Sequence, residues 1–397
     1  MDIIEDILTR GVVNIIPNKD ILAQKISDKK KLNIYLGIEP TSTHIHLGHA
    51  VLLRKLNQLA RLGHNVTFLI GDFTALIGDT SDKESERPIL TSEEIINNFR
   101  TYKQQAEKIL DFSKINVRHN SEWLKKLSFE EIIKLAQIFS TNDFLSRELI
   151  SKRLKEGKRI GLHELLYPVM QGYDSYFMNI DLQIGGADQT FNMQAGRTLQ
   201  KVLRNKESFV LSLEYLLGTD GRKMSKSWGN AIWLDDSPQD MFAKVMAIND
   251  DLITQYYRLA TNVTLNEIQD IENELQKGAH PMNIKKNLAR EIVLELFDLP
   301  STEQAELAFT NRVQKKELPQ IIPTINWDST KTVADNFILQ NLVQSKSQFK
   351  QLIEQHGVHF TNSSGNPLTY NPEMSMETLE GGTIRIGKQR IYKVKNN

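Results

Sequence analysis

Cysteine is absent from this 397-residue sequence. Disulfides, thiolate metal sites and cysteine nucleophiles are therefore excluded. An excess of charge is also absent: 49 lysines and arginines balance 49 aspartates and glutamates. Zero net charge argues against a dedicated DNA coat, but it leaves room for local basic patches. No apolar run is long enough to span a bilayer. The start, Met1-Asp2-Ile3-Ile4-Glu5-Asp6, is acidic, unlike the basic start of a secretory signal or an Arg-rich transit peptide. A cytoplasmic protein with no membrane partner is expected. No repeat or low-complexity tract is present. With 40% apolar and 25% charged residues, the composition is that of a soluble globular chain of two or three domains.

The first half alternates strand-like and helix-like segments. Short apolar runs at 31–38, 65–73, 115–118, 181–184 and 209–213 read as strands. Between the first two, Val51, Leu52, Leu56 and Leu59 recur at helical spacing. Thr91-Ser92-Glu93-Glu94 is a capping-box start, and a second capped helix begins at Ser128. This alternation predicts an α/β fold, a doubly wound parallel sheet with helices on both faces. From the helix-start pair Ser237-Pro238 the chain reads as successive helices. Pro319 and Pro323 flank a linker-like stretch, and the last part mixes short helices with strands at 382–386 and 390–394. The expected domains are 1–232, with an insert at about 90–158, then a helical 233–325, then a small α/β module at 326–397.

Two motifs carry chemistry. Pro40-Thr41-Ser42-Thr43-His44-Ile45-His46-Leu47-Gly48-His49 lies at a strand-to-helix junction. In a doubly wound fold that junction faces the ligand crevice. The helix start there offers N–H groups and positive potential to an anion, His46 and His49 can donate to phosphate oxygens, and Gly48 admits a close approach. The second motif is the loop Gly221-Arg222-Lys223-Met224-Ser225-Lys226-Ser227. Two lysines around a serine make a cationic lid suited to polyphosphate. Taken singly, the first motif can be a helix start that happens to carry histidines, and the second a solvated loop.

Together, in this order and context, they resemble the signature pair of class I aminoacyl-tRNA synthetases. A third cluster resembles the substrate pocket of the tyrosyl-tRNA synthetases. It comprises Tyr167-Pro168-Val169-Met170-Gln171-Gly172-Tyr173-Asp174, the segment Leu182-Gln183-Ile184-Gly185-Gly186-Ala187-Asp188-Gln189, Tyr35, and Asp79 after Gly78. Tyr167, Gln171 and Asp174 are spaced to share one helix face. The resemblance implies a Rossmann-like catalytic core, a helical anticodon-side domain around 280–289, and a small RNA-binding domain around 336–360. In that last domain Leu339, Leu342, Leu352, Ile353 and Val358 would form the core. Residues 10–17 also resemble the family.

The same resemblance implies the roles. Tyr35 and Asp174 would hold the phenol hydroxyl of tyrosine, Asp79, Tyr167 and Gln171 its ammonium group, with Gln183 and Gln189 completing the tyrosine site. The ATP site would use Gly37, Thr41, His46, Gly48, His49, Asp188, Lys223, Met224, Ser225 and Lys226. Of these, Thr41, His46, His49, Lys223 and Lys226 would stabilise pyrophosphate charge. Mg²⁺ would travel with ATP, with no protein-held metal or organic cofactor. The partners implied are tRNA(Tyr), through the basic tail Arg385, Lys388, Arg390, Lys393 and Lys395, and a second copy of the chain, through the insert. A tryptophanyl enzyme and a non-catalytic RNA-binding paralogue are the alternatives. Three departures from the family pattern stand out: Glu39 for aspartate, Thr80 and Asp82 for proline and glycine, and Gln348, Phe349 and Gln351 for charged residues. The first two are expected to loosen a turn near the pocket, and the third to weaken the module's RNA contacts.

Overall fold

The structure, a computed structural model, describes the chain except residues 1, 2, 29, 41, 42, 79–90, 226, 227, 312–321, 329, 341, 344, 356, 372, 373, 375–377, 388, 389 and 397, and the side chains at 92 and 396. Thr41, Asp79, Lys226 and Lys388, together with Thr80, Asp82 and Pro319, therefore lie outside the described residues. The chain forms two compact units, 1–307 and 308–397. The helices from Pro238 to Leu296 group with the first sheet in one unit.

The first unit is built on β1 (Val12–Ile16), β2 (Asn33–Ile38), β3 (Asn65–Ile70), β4 (Ile115–His119), β5 (Leu182–Gly186) and β6 (Phe209–Leu213). Their order is β1-β6-β5-β2-β3-β4. The last five are parallel, while β1 runs antiparallel to β6. All five residues of β6 are buried, as are four of five in β5, because helices cover both faces. The edge strand β1 was not predicted. It has no fully buried residue, although its sequence, Val-Val-Asn-Ile-Ile, is apolar at four of five positions.

The order reverses at β2: β3 lies on one side and β5 on the other. That switch point opens a crevice at the carboxyl ends of the strands. The helix Leu47–Arg61 leaves β2 there, and Thr190–Arg204 follows β5. The helix Leu162–Phe177 packs closely on Thr190–Arg204. A Cβ on Gly172 would lie 3.1 Å from the Ala195 backbone, so only glycine allows this approach without adjustment. Arg54 ties Leu47–Arg61 to the helix Pro281–Leu296 through two bonds of 2.8 Å to Glu295.

The second unit contains β7 (Thr324–Trp327), β8 (Val358–Thr361), β9 (Pro367–Leu368), β10 (Thr383–Ile386) and β11 (Arg390–Asn396), in the order β7-β11-β10-β8-β9. Trp327, Phe337, Phe349 and Phe360 form its core with Ile384, Ile386 and Val394. Leu342 and Val358 are buried there as expected, and Leu352 and Ile353 are partly buried. Leu339 is not in the core but 50% exposed. In the helix Val333–Leu339 the buried positions are Val333, Asn336 and Phe337, and Leu339 points away from that face. Phe349 is likewise a core residue, packed edge-on against Phe337 at 4.6 Å. Its presence in place of a charged residue serves packing. Strand alternation leaves Arg385, Lys393 and Lys395 exposed opposite that core. Arg390 is exposed too, but its guanidinium donates to the Leu342 carbonyl at 3.3 Å.

Candidate active site

A cavity of about 570 Å³ lies at the switch point. It is lined by Tyr35, Gly37, His46, Gly48, His49, Tyr167, Gln171, Asp174, Asp188, Gln189, Lys223, Met224 and Ser225. Gln183 stands just behind this wall, fully buried, accepting from the Tyr35 hydroxyl at 3.2 Å. Every expected catalytic-domain site residue that is described thus converges on one place, from segments nearly two hundred residues apart.

The buried end is organised around Asp174. Trp123 Nε1 donates to one carboxylate oxygen at 2.7 Å, and Asn120 Nδ2 donates to the other at 3.1 Å. Burial nevertheless dominates and raises the Asp174 pKa to about 7, with Asp72 and Glu39 adding like-charge repulsion against those two hydrogen bonds. Tyr35 is held neutral by burial first and by the nearby Asp174 charge second. Trp123 is stacked on Phe177 at 4.7 Å and lies under the Arg118 guanidinium, which fixes the direction of its N–H. Sequence reasoning missed Asn120 and Trp123. The available signal was their position immediately after β4, on the same carboxyl rim as the other site residues.

Farther along, the Tyr167 hydroxyl donates to Glu39 at 2.6 Å. Glu39, which departs from the family pattern, thus reaches into the pocket wall. The two signature histidines stack at 3.9 Å, and the His46 backbone N–H donates to His49 Nδ1 at 3.3 Å. Gly48 makes room for this: a Cβ there would lie 2.9 Å from the His46 ring. Burial first, then neighbouring positive charge, lowers His46 well below its ordinary pKa and lowers His49 to about 4. Both rings are neutral near pH 7 and act as hydrogen-bond groups rather than cations. The His46 Nδ1 is buried over the helix start beside Gly48, with no hydrogen-bond partner among the described residues. An NMR titration of the imidazoles should find His49 neutral down to about pH 4. A midpoint at the ordinary histidine value would mean that the ring is open to water.

Permanent positive charge comes from the second motif. The Lys223 ammonium stands 4.7 Å above the Tyr215 ring and 3.8 Å from Asp188. The Tyr215 hydroxyl accepts from the Asp188 backbone N–H at 2.7 Å, linking the loop after β6 to the end of β5. The first motif is braced from two sides. Gln105, in the helix Ser92–Ala106, accepts from the Ile45 N–H at 2.7 Å and donates to the Thr43 carbonyl at 2.8 Å. Behind it, Leu47 N–H donates to the Ile232 carbonyl and Leu234 N–H to the Ile45 carbonyl, so the first motif is stitched to the segment that follows the second. The arrangement offers a buried acceptor at one end, neutral donors along one wall and a lysine over the mouth.

Comparison with known proteins agrees with this geometry. Residues 27–314 match the family described as tRNA synthetases class I (W and Y). The tyrosine–tRNA ligase of Thermotoga maritima is 38% identical over 390 residues, covering 98% of this chain and 96% of that one. That of Dehalococcoides mccartyi is 40% identical over 394 residues, covering 98% of both. Tyrosine–tRNA ligase 2 of Vibrio cholerae is 42% identical over 352 residues, 88% of this chain and 89% of that one. Among solved structures, a C-terminally truncated mitochondrial tyrosyl-tRNA synthetase from Aspergillus nidulans matches with a TM-score of 0.64 at 22% identity, over 77% of this chain and 92% of that one. The Archaeoglobus fulgidus enzyme, complexed with L-tyrosine, matches with a TM-score of 0.60 at 24% identity, over 77% of this chain and all of that one. These two likenesses show the fold. On the family match and the full-length identities, the chain belongs to the class I tRNA synthetases of the tryptophanyl and tyrosyl type, among the tyrosine–tRNA ligases.

Proposed function

We propose that this enzyme activates tyrosine with ATP and transfers it to the 3′-terminal adenosine of tRNA(Tyr). The observation that carries the reading is Asp174, a buried carboxylate with two fixed donors and acceptor capacity left for a phenol. In the first step a tyrosine carboxylate oxygen attacks the α-phosphorus of ATP. The bond to the bridging oxygen breaks, and pyrophosphate leaves. A carboxylate needs no general base, so catalysis is positioning and charge stabilisation. In the second step an adenosine hydroxyl of tRNA attacks the carbonyl carbon of the adenylate, and AMP leaves.

We assign Tyr35 and Asp174 to the phenol, Tyr167, Gln171 and Asp79 to the ammonium group, and Gln183 and Gln189 to orienting the substrate. His46 and His49 would donate to phosphate oxygens, together with Thr41. Lys223 and Lys226 would carry the pyrophosphate charge. Gly37, Gly48, Asp188, Met224 and Ser225 would complete the nucleotide site. Mg²⁺ would enter on the phosphates of ATP. Transfer of labelled tyrosine to total tRNA tests the reading directly: acid-precipitable label on tRNA is expected, and its absence in an active, folded preparation would overturn it.

The tRNA contacts are assigned to the second unit, to Arg385, Lys393 and Lys395 on its exposed sheet face, together with Arg390 and Lys388. A protein ending at residue 321 should form adenylate at the parent rate yet charge tRNA poorly, because lost phosphate contacts weaken binding steeply. Normal charging by that protein would remove the second unit from the tRNA site. A cytoplasmic homodimer completes the proposal. Phe129 and Leu162 are 77% and 73% exposed, and Ile133 and Leu154 are exposed near them in sequence, apolar surface suited to a second copy. Sedimentation should give twice the chain mass; a monomer at working concentration would contradict it.

A further inference from the structure

Asn230 lies outside the cavity wall, is 2% exposed, and belongs to neither signature motif. Its carboxamide nevertheless makes three bonds to the loop that carries Lys223. Oδ1 accepts from the Ser225 backbone N–H at 2.9 Å. Nδ2 donates to Asp220 Oδ1 at 2.7 Å and to the Lys223 carbonyl at 3.2 Å. The Asn230 carbonyl accepts from the Thr219 N–H at 3.0 Å. One acceptor and two donors on a short stem are required, and among side chains only asparagine supplies both at that length.

The neighbours are shaped for this contact. A Cβ on Gly218 would lie 2.4 Å from Asn230 Nδ2 and 2.8 Å from the Asn230 carbonyl oxygen, so glycine is needed there. Asp220, besides receiving Asn230, accepts from Arg222 Nε at 2.8 Å. Its carboxyl is held down to about 2, first by Asn230 and then by Arg222, so the acceptor stays ionised. Arg222 in turn lies 4.6 Å from the centre of the Trp228 ring.

We propose that Asn230 is a positioning residue for adenylate formation, fixing the Asp220 side chain and the backbone at positions 219, 223 and 225 so that the Lys223 ammonium stands over Tyr215 beside Asp188 at the cavity. The inference rests on the assignment of Lys223 to the pyrophosphate charge. A buried hub of this kind loses its bonds together: without the carboxamide, the Ser225 N–H, the Lys223 carbonyl and the Asp220 carboxylate each lose one. The loop then samples other conformations, and the lysine is in place for only a fraction of the time. A misplacement of about 1 Å is enough to slow a positioned reaction about 100-fold.

The test is single-turnover adenylate formation, with tyrosine affinity measured separately, on Asn230→Ala, Gly218→Ala and Lys223→Ala. Asn230→Ala should slow the step about 100-fold while tyrosine affinity stays within about twofold. Gly218→Ala should give the same split, because it displaces the carboxamide from the other side. Asn230→Asp, which puts a carboxylate against Asp220, should also be slow, and adding Asp220→Asn should recover part of the rate. A parent-like rate in Asn230→Ala beside a slow Lys223→Ala would overturn the positioning role. So would equal losses of rate and tyrosine affinity in both Asn230→Ala and Gly218→Ala, with lowered Tm and no recovery in the double variant. A parent-like rate in Lys223→Ala would instead remove the assignment of Lys223, and the role of Asn230 would fall with it.

Discussion

Asp174→Ala should reduce the preference for tyrosine over phenylalanine by roughly 100-fold, about 3 kcal/mol, the scale of leaving one buried charged group unpaired. In the native pocket two of the carboxylate's partners are fixed, Trp123 and Asn120. The remaining acceptor capacity is satisfied by a phenol O–H and stranded by a bare ring. Phenylalanine is therefore penalised for what it leaves unpaired. Removing the carboxylate removes the penalty and also strands the Trp123 N–H, so tyrosine loses affinity while phenylalanine loses less. The free carboxyl titrates at about 7, and a phenol donor favours its ionised form. Tyrosine affinity should accordingly strengthen as pH rises from 6 to 8, and that dependence should vanish in Asp174→Asn. Competition between the two amino acids in an adenylate assay reads the discrimination. Undiminished discrimination in Asp174→Ala would place the phenol elsewhere.

Lys223→Ala should slow adenylate formation by about 100- to 1000-fold and leave tyrosine affinity nearly unchanged. His46 and His49 are neutral, because burial lowers both pKa values. They can donate hydrogen bonds but bring no charge to the departing pyrophosphate. Lys223 brings a full charge, and it is needed most when the bridging oxygen gains negative charge. An interaction stronger in the transition state than in the ground state appears in the rate and not in substrate affinity. Single-turnover kinetics separate the two. Weakened tyrosine binding with an unchanged rate would move Lys223 from the phosphates to the amino acid.

The parts of this design that the sequence disclosed are those where burial is total or chemistry is local. Strand β6 is apolar at four of its five residues and buried throughout, because helices cover both faces, and the histidine motif lies between β2 and the helix Leu47–Arg61. Capping boxes at Thr91 and Ser128 announce their helices within four residues. Edge strand β1, Val-Val-Asn-Ile-Ile, is apolar at four of five positions, but its antiparallel pairing with the distant β6 leaves no local mark. Asn120 and Trp123 were hidden for a similar reason. Their bonds to Asp174 span more than fifty residues of sequence, and only their place just after β4, not the tetrapeptide Asn-Ser-Glu-Trp itself, points to the site. In the second unit Leu339 looked like core and Phe349 like an altered RNA contact. Only the phase of each helix on its neighbours shows that Phe337 and Phe349 face inward while Leu339 does not.

The central claim is that this pocket activates tyrosine. It is tested most directly by ATP–pyrophosphate exchange, run with each amino acid in turn on the full chain. Exchange should appear with tyrosine and not with tryptophan or phenylalanine at comparable concentration. Exchange that follows tryptophan would contradict the assignment of Asp174 and Tyr35 to a phenol, and no exchange with any amino acid would contradict catalysis by the two motifs.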